Sequence, residues 1–289
     1  MTPSEIAAHC RIAPGTAVRL DDWDPTDRLG LSKTDAEAML DSNAARLEAL
    51  HERLYASRTW AVLLLLQGMD ASGKDGAIKR LAGGLNPQGL RVTSFAAPSS
   101  LELSHDFLWR IHAALPPRGH VGVFNRSHYE DVVAPRANPL LLPKLGLPPE
   151  LVGPGIWAER LAGIVAFEAH LAQQGTALAK VFLNLSRGEQ RKRLMARLDD
   201  PAKAWKFDPS DMTARDLWAE HRTAYEAAFA ATATASAPWY IVPADNKPVA
   251  RALLQCILIA TMEKLALDRP NPTPDQVAAM AAARNALTA

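Results

Sequence analysis

The stretch Trp60-Ala-Val-Leu-Leu-Leu-Leu-Gln67 is followed directly by Gly68-Met-Asp-Ala-Ser-Gly-Lys-Asp-Gly76. A glycine-bounded apolar run of this length is typical of a buried strand, and a helical pattern begins at once with Ala77-Ile-Lys-Arg-Leu81. Glycines in the loop let successive backbone N–H groups point inward, where phosphate oxygens can bind, and Lys74 adds an ammonium group. The stretch therefore predicts a strand, a phosphate-binding loop and a helix. The alternative is a glycine turn with ordinary surface charges.

Two acids distinguish this loop from the usual Gly-x-x-x-x-Gly-Lys-Ser/Thr pattern. Asp75 occupies the position where a Ser or Thr hydroxyl would otherwise hold Mg²⁺. Asp70 lies inside the loop, where the lysine and the backbone N–H groups should keep its carboxylate ionised if a cation is also bound. The loop residues that we expect to bind phosphates are Gly68, Ala71, Gly73, Lys74, Asp75 and Gly76.

Length and composition indicate one large globular domain: the chain has 289 residues, of which 48% are hydrophobic and 22% are charged. A net charge of +1 argues against a protein that coats nucleic acid. Cys10 and Cys256 fit no metal-ligand spacing and predict two unpaired thiols in a reducing compartment. The sequence contains no signal-peptide pattern and no apolar run long enough to span a membrane. We therefore expect a cytoplasmic protein with neither a membrane nor a nucleic acid as partner.

Strand patterns alternate with helical patterns along the chain. After the first strand, further strands are expected at residues 90–95, 120–124, 179–185 and 239–242. This alternation predicts a parallel, doubly wound sheet, whose ligands collect at the carboxyl ends of the strands. We expect an α/β fold of the P-loop kinase-like type, a three-layer α/β/α sandwich with a parallel sheet and a helical lid.

The main domain is expected to span residues 34–268, beginning with a helix in which Thr34 and Glu37 have capping-box spacing. Residues 1–33 contain Pro3, Pro14 and Pro25 without a sustained period, and predict an N-terminal arm laid over the domain. Residues 269–289 are rich in Pro and then Ala, and predict a frayed C-terminal tail.

Residues 99–116 predict a single helix, in which Ser99 and Glu102 form a capping box. His105 and His112 lie seven residues apart on this predicted helix. Because no third ligand lies nearby in sequence, we expect them to be surface or packing residues and not a metal pair.

The strand at residues 120–124 ends in Asn125-Arg-Ser-His-Tyr-Glu-Asp131. In phosphate-loop enzymes a second apolar strand usually ends in an Asp that helps to hold Mg²⁺, and here Asn125 occupies that position. An amide oxygen can position a hydrated cation but brings no charge. Arg126 is a natural fork for a phosphate group. The missing negative charge would come from Asp70, Asp75, Glu130 or the substrate phosphates. The alternative is a polar loop that caps a strand.

Positive charge is concentrated between residues 187 and 206, where seven basic and three acidic residues leave a local charge of +4. The basic residues are Arg187, Arg191, Lys192, Arg193, Arg197, Lys203 and Lys206. A mixed charged helix is often only a solvated surface. Its position after a sheet strand instead favours a lid, at about residues 187–210, that closes over a transferred phosphoryl group.

Several spaced motifs together resemble the family-2 polyphosphate kinases over roughly residues 33–268. The motifs are 68–76, Leu85-Asn-Pro-Gln-Gly89, His105-Asp-Phe-Leu-Trp-Arg110, 125–131, Asp199-Asp-Pro-Ala-Lys-Ala-Trp-Lys-Phe207 and Ala237-Pro-Trp-Tyr-Ile-Val-Pro-Ala-Asp-Asn-Lys247. Asn125 and Glu130 are similar to the residues of the branch that phosphorylates both nucleoside monophosphates and diphosphates.

The resemblance implies a reversible transfer of the terminal phosphoryl group of inorganic polyphosphate to AMP or ADP, giving ADP or ATP. It implies Mg²⁺ as cofactor, for which Mn²⁺ can substitute, and a homo-oligomer. No covalent enzyme intermediate is needed, because phosphoryl transfer depends mainly on positioning and charge neutralisation.

The resemblance also implies roles for particular residues. Lys74 would bind donor and transferring phosphates, Asp70 would hold Mg²⁺ and orient the acceptor, and Arg126 would bind the acceptor phosphates. Asn125 and Glu130 would set acceptor length and hold a hydrated metal, with Asp70 and Asn125 as the metal-binding residues. Arg191 and Arg193 would neutralise the transition state. A basic row for the polyanionic donor would consist of Lys74, Arg80, Lys203, Lys206 and the lid arginines.

One departure concerns the donor. Members of the family often carry a lysine just after the second strand, where this chain has Phe95-Ala-Ala-Pro98. A contact with the donor is therefore expected to be absent, and the preferred polyphosphate length stays open. Two other functions are consistent with the same fold. An ATP-dependent nucleotide or small-molecule kinase would not require polyphosphate, and a nucleotide-gated binding module would bind nucleotide tightly without turnover.

Overall fold

The computed structural model describes residues 1–202, 205 and 207–288. Within these residues one sheet contains five strands, in the spatial order β2-β3-β1-β4-β5. The strands are β1 (Ala61–Gln67), β2 (Leu90–Ser94), β3 (Val121–Asn125), β4 (Thr176–Asn184) and β5 (Trp239–Pro243). Every neighbouring pair is parallel. The predicted parallel sheet is confirmed, and its central strand is the one that leads into the phosphate loop.

Helices cover both faces of this sheet. In chain order they are α1 (Pro3–Cys10), α2 (Lys33–Ser57), α3 (Lys74–Ala82), α4 (Ser100–Leu103), α5 (Trp109–Ala113), α6 (Glu130–Ala137), α7 (Ile156–Gln173), α8 (Arg187–Leu198), α9 (Ser210–Asp216), α10 (Trp218–Thr232), α11 (Lys247–Met262) and α12 (Pro274–Thr288). Apolar residues of α1, α2, α3 and α11 form the core on one face, and those of α5, α6, α7 and α10 form the core on the other. The predicted three-layer α/β/α sandwich is therefore confirmed.

Strand β1 is buried along its whole length because both of its faces are covered. Val62, Leu64 and Leu66 belong to one core, and Leu63 and Leu65 belong to the other. A parallel strand between two helical layers needs apolar side chains on both faces, which explains the uninterrupted apolar run in the sequence.

The N-terminal residues contain a helix that the sequence analysis did not identify. Helix α1 buries Ile6, Ala7 and Cys10 in the core shared with α11. The next residues run beside β5, where the Ile12 backbone N–H donates to the Trp239 carbonyl oxygen at 2.9 Å. An eight-residue helix is too short to show a clear period, and its burial against α11 stabilises it.

Several predicted helix boundaries are wrong. Helix α2 is capped by Ser32, whose Oγ accepts from the Asp35 backbone N–H at 3.1 Å, and not by Thr34. The capping box of Ser99 and Glu102 is confirmed, but it begins only the four-residue helix α4. Residues 99–116 therefore form two short helices, α4 and α5, and not one.

Three further segments differ from the sequence-based expectation. His105 lies between α4 and α5, so it does not share a helix with His112, and its ring stacks on Trp109 with the centroids 4.1 Å apart. Helix α6 begins at Glu130, inside the 125–131 motif, and extends into residues 135–137. The tail expected to fray forms helix α12, none of whose residues is buried. No helix in the described part of the chain is long and apolar enough to cross a membrane.

Candidate active site

The phosphate loop connects β1 to α3 and has unusual backbone angles. Gly68, Ala71 and Gly73 have φ angles of 153°, 62° and 102°, so the loop curls tightly before α3 begins at Lys74. A Cβ atom on Gly68 would lie 2.8 Å from Ser72 Oγ and 3.0 Å from the Leu183 carbonyl oxygen. The loop thus packs against the end of β4, and the first N–H groups of α3 lie beside it, as in helix-terminal phosphate sites.

Lys74 is folded into the phosphate loop. Its Nζ donates to the Gly68 carbonyl oxygen at 2.8 Å. Burial lowers the pKa of the Lys74 ammonium, and the negative charge of Asp70 opposes that effect. The ammonium therefore lies where the sequence analysis expects bound phosphates.

Arg193 of α8 supports the loop from outside. Its Nη1 donates to the carbonyl oxygens of Ala71 at 3.1 Å and Ser72 at 2.9 Å. Its Nη2 donates to the carbonyl oxygens of Ala244 at 2.6 Å and Asp245 at 3.1 Å. Nε donates to Glu189 Oε1 at 3.0 Å, so all five guanidinium N–H groups are engaged. The guanidinium joins the phosphate loop to the turn after β5, an arrangement that differs from direct contact with a transferred phosphoryl group.

An arginine between two carboxylates lies opposite the loop. Arg126 has a φ angle of 63°, and its Nη2 lies 2.8 Å from Asp70 Oδ1. Its Nη1 lies 4.0 Å from Glu130 Oε2. The charge of Glu130 raises the pKa of Arg126 despite burial. Burial raises the pKa of Glu130, while Arg126 and Lys74 oppose that rise. The structure thus brings Asp70, Lys74, Arg126 and Glu130 together.

Asn125 carries an amide oxygen suited to a metal ion. Its Nδ2 donates to Asp75 Oδ1 at 3.0 Å and to Ser94 Oγ at 3.4 Å. Its Oδ1 is buried and has no hydrogen-bond partner. The described residues contain no group of three or more His, Cys, Asp or Glu side chains that could hold a metal. The unpartnered Asn125 Oδ1 is compatible with a hydrated Mg²⁺, whose other ligands would be oxygens of phosphate groups and water.

A cavity of about 510 Å³ lies beside the phosphate loop. Asp70, Arg126 and Glu130 form its polar wall, and Phe95 and Pro98 contribute apolar surface. Helix α9 also lines it, and the ion pair of Arg197 with Asp211, at 3.3 Å, connects α8 to α9. The volume is in the range that is typical of small-molecule sites.

Other expected site residues lie farther from the cavity. Arg191 is exposed on α8. Arg80 lies on α3, and its Nη2 is 2.5 Å from Asp41 Oδ1 of α2. Gly76 lies next to Arg251 of α11, whose Nη2 is 2.8 Å from the position that a Cβ on Gly76 would take. Lys203 and Lys206 lie outside the described residues.

The sequence analysis missed three residues of this site. Arg251 and Tyr225 lie on helices whose patterns indicate only packing, so no sequence signal distinguishes them. Gln67 carried a signal, because a polar side chain ends an otherwise apolar strand. It is completely buried.

Comparisons with known proteins agree on one family. The family model described as Polyphosphate kinase 2 matches residues 30–270. An ADP-polyphosphate phosphotransferase of Rhodopseudomonas palustris is 44% identical over 267 residues, which cover 91% of this chain and 92% of that protein. An AMP/ADP-polyphosphate phosphotransferase of Meiothermus ruber is 42% identical over 265 residues, covering 91% and 95%. The crystal structure of Polyphosphate Kinase 2 from Arthrobacter aurescens is 38% identical and superposes with a TM-score of 0.88, covering 99% of this chain and 97% of that one.

Proposed function

Because the chain belongs to the polyphosphate kinase 2 family, we propose that it transfers the terminal phosphoryl group of inorganic polyphosphate to AMP and to ADP. The products are ADP and ATP, and the transfer is reversible. The names of the Rhodopseudomonas and Meiothermus relatives support polyphosphate as donor and both nucleotides as acceptors. The observation that carries the proposal is that Gly68 and Asp70 of the phosphate loop line the same cavity of about 510 Å³ as Arg126, with Lys74 Nζ bound to the Gly68 carbonyl oxygen.

In this proposal Lys74 and Arg126 bind the phosphates of different substrates. Lys74 and the N–H groups of the loop bind the terminal phosphates of the donor, and Arg126 binds the phosphates of the acceptor. The two cationic groups hold the acceptor oxygen in line with the donor phosphorus and neutralise the charge that the transfer creates. Arg191, exposed on α8, adds a further positive charge when the lid closes. No side chain has to act as a nucleophile.

Divalent metal is part of the proposal. Bound Mg²⁺, or Mn²⁺ in its place, would neutralise phosphate oxygens during the transfer. Asn125 Oδ1 and the Asp70 carboxylate are the residues that would hold it. The unpartnered, buried Oδ1 of Asn125 supports this assignment.

Acceptor length is assigned to Asn125 and Glu130. Both lie at the carboxyl end of β3 or just beyond it, and Glu130 lines the cavity beside Arg126. Because the Asn125 side chain is uncharged, it does not repel the additional phosphate of ADP, which would lie next to Asp75.

Arginines around α3 support a path for the polyphosphate chain. Partial burial lowers the pKa of Arg251, and the nearby charges of Arg80 and Arg193 lower it further. Such a concentration of positive charge attracts a polyanion. Lys203 and Lys206 extend this proposed path on the basis of the sequence alone.

The cellular setting is also proposed. Buried free thiols at Cys10 and Cys256 support a reducing, cytoplasmic location. The homo-oligomer expected from the family resemblance is tested by light scattering of the purified protein.

The activity test uses purified protein, Mg²⁺, AMP and long-chain polyphosphate, with no ATP added. Nucleotides are separated over time, and we expect ADP to form first and ATP to follow. ADP alone would restrict the acceptor to monophosphates. Absence of product, together with turnover when ATP is the donor, would refute the proposal and support an ordinary kinase.

A further inference from the structure

Gln67 makes hydrogen bonds to three side chains around the site. It is the last residue of β1 and directly precedes Gly68. Its Oε1 accepts from the Ser127 backbone N–H at 2.9 Å and from Ser127 Oγ at 2.8 Å. Its Nε2 donates to Glu130 Oε1 at 2.7 Å and to the Tyr225 hydroxyl at 3.0 Å. We assign this amide orientation because the opposite one would place the amide oxygen against a carboxylate oxygen.

The turn that carries Glu130 is anchored in the core by other residues. The Tyr129 hydroxyl donates to Glu168 Oε1 at 2.9 Å, and Lys180 Nζ lies 2.5 Å from Glu168 Oε2. These three side chains are buried and do not include Gln67. The backbone of the turn therefore has its own support, and the specific contribution of Gln67 is its contact with the Glu130 carboxylate.

The position of that carboxylate matters for Arg126. Glu130 Oε2 lies 4.0 Å from Arg126 Nη1, a separation longer than a hydrogen bond. A carboxylate released from Gln67 would gain more by moving to the guanidinium, because a buried charge needs a close partner. It would then compete with acceptor phosphates for Arg126.

We infer that Gln67 is a positioning residue for phosphoryl transfer, which holds the Glu130 carboxylate away from Arg126 so that the guanidinium can bind the acceptor phosphates. The inference rests on the proposed function, in which Arg126 binds the acceptor. Tyr225 belongs to the same arrangement, since its hydroxyl accepts from Gln67 Nε2 and its side chain lines the cavity. Gln67 thus connects the first residue of the phosphate loop with the acceptor side of the cavity.

The test compares Gln67→Met, Glu130→Ala and the double variant at saturating polyphosphate. We expect Gln67→Met to raise the KM for AMP about tenfold or more, the factor that corresponds to losing a hydrogen bond to a charged group. In the Glu130→Ala background the same substitution should change this KM less than about twofold, because the released carboxylate is absent. Loss of folded protein alone would lower the apparent kcat and leave KM unchanged.

Two further variants complete the experiment. Gln67→Glu is isosteric, and repulsion between its carboxylate and that of Glu130 should also raise the KM for AMP, so the test stands if the Met variant does not fold. Gln255→Met is the matched control, since Gln255 is a buried glutamine of α11 whose Oε1 has no hydrogen-bond partner. Its KM should equal that of the wild type.

The outcomes separate this inference from the proposed function. An unchanged KM in both Gln67 variants, or an equal rise with and without Glu130, would overturn the positioning role while polyphosphate-dependent transfer stands. Failure of the wild-type protein to phosphorylate AMP from polyphosphate would overturn the proposed function and with it this inference.

Discussion

Arg126 Nη2 lies 2.8 Å from Asp70 Oδ1, although the two residues follow different strands of the sheet. Strands β1 and β3 are adjacent and parallel, so their carboxyl ends bring the two side chains to one edge. Arg126 is 41% exposed and Asp70 20% exposed. A pair with this exposure contributes little to stability, so its main effect is on the orientation of the two charges in the site.

Asp70→Asn should therefore lower kcat by about a hundredfold or more, because it removes a charge from the proposed metal site and weakens the ion pair with Arg126. The free energy of unfolding should change by less than about 1 kcal/mol. Steady-state kinetics and urea unfolding measure the two effects. Glu52→Gln in the exposed ion pair with Arg269 is the control and should leave kcat unchanged. Wild-type kcat in Asp70→Asn would remove Asp70 from the mechanism.

Lys74→Met should abolish transfer, with a loss of about a thousandfold or more, since the ammonium is expected to contact phosphates in the donor and in the transition state. Stability should not fall, because burial of a methionine costs less than burial of an ammonium. Product formation and thermal unfolding are the measurements. Lys79→Met, on the exposed side of the same helix, serves as comparison. Unaltered turnover in Lys74→Met would show that the loop does not bind the reacting phosphates.

Asn125→Asp should change metal dependence and acceptor choice. In the proposed metal site the new carboxylate would replace an uncharged oxygen, so the Mg²⁺ concentration for half-maximal activity should fall about tenfold. It also lies next to Asp75, and this added charge should shift the AMP-to-ADP preference at least about threefold towards AMP. Asn285→Asp, exposed on α12, is the control for charge alone. If both quantities keep their wild-type values, acceptor length is set elsewhere.

Arg193→Met and Arg191→Met should separate structural from kinetic effects on the same helix. Loss of the buried Arg193 guanidinium leaves the loop carbonyl oxygens unpaired, and the free energy of unfolding should fall by about 2–4 kcal/mol. Arg191 is exposed, so its replacement should change stability by less than about 0.5 kcal/mol while lowering kcat about a hundredfold. Urea unfolding and kinetics distinguish the two. Equal stabilities would contradict the supporting role of Arg193.

Acid should destabilise the protein in part through His51. Its Nδ1 accepts from the Asn86 backbone N–H at 3.2 Å, and its Nε2 lies 2.9 Å from the Gly89 carbonyl oxygen, so the neutral ring satisfies both groups. Burial lowers the pKa of His51 below its ordinary value of 6.5. His51 therefore binds a proton more readily in the unfolded chain than in the folded protein. Its neutral ring stabilises the fold fully above the ordinary pKa of 6.5, and this stabilisation is lost as the pH falls through the lower pKa of the folded state.

His51→Gln should consequently lose less unfolding free energy than the wild type between about pH 7.5 and about pH 5.5. Urea unfolding at the two pH values gives the difference. His105→Gln, at an exposed position, should show the wild-type dependence. A wild-type pH dependence in His51→Gln would mean that other groups account for the acid sensitivity.

The sequence allowed the sheet and the centre of the site to be predicted because both depend on local patterns. The apolar run of β1 and the glycines of the loop are contiguous, and the motif that contains Arg126 and Glu130 follows a second strand. Parallel pairing then places these segments at one edge of the sheet. The sequence therefore predicted that Asp70, Lys74, Arg126 and Glu130 would lie close together, as they do, and their roles in the reaction stay predictions.

Other features depend on contacts that leave no local pattern. Arg193 donates to backbone carbonyl oxygens, which every residue has, so its supporting position could not be distinguished from a position facing phosphate. Gln67 ends β1 and Glu130 begins α6. Their hydrogen bond depends on side-chain conformations that no sequence pattern indicates. The N-cap of α2 at Ser32 was missed because the Ser32–Asp35 and Thr34–Glu37 pairs have the same spacing, which the sequence alone does not distinguish.

The Arg193 hydrogen bonds that join the phosphate loop to the turn after β5 have a consequence for the order of folding. Arg193 lies 122 residues after Ala71 in the chain, and Ala244 follows 51 residues later. During synthesis the phosphate loop leaves the ribosome long before either support exists. A nascent chain thus carries the complete binding motif without the geometry to use it, because contacts distant in sequence form late. We therefore expect the loop to reach its final geometry only when the turn after the last strand has emerged, so that activity would depend on completion of the sheet.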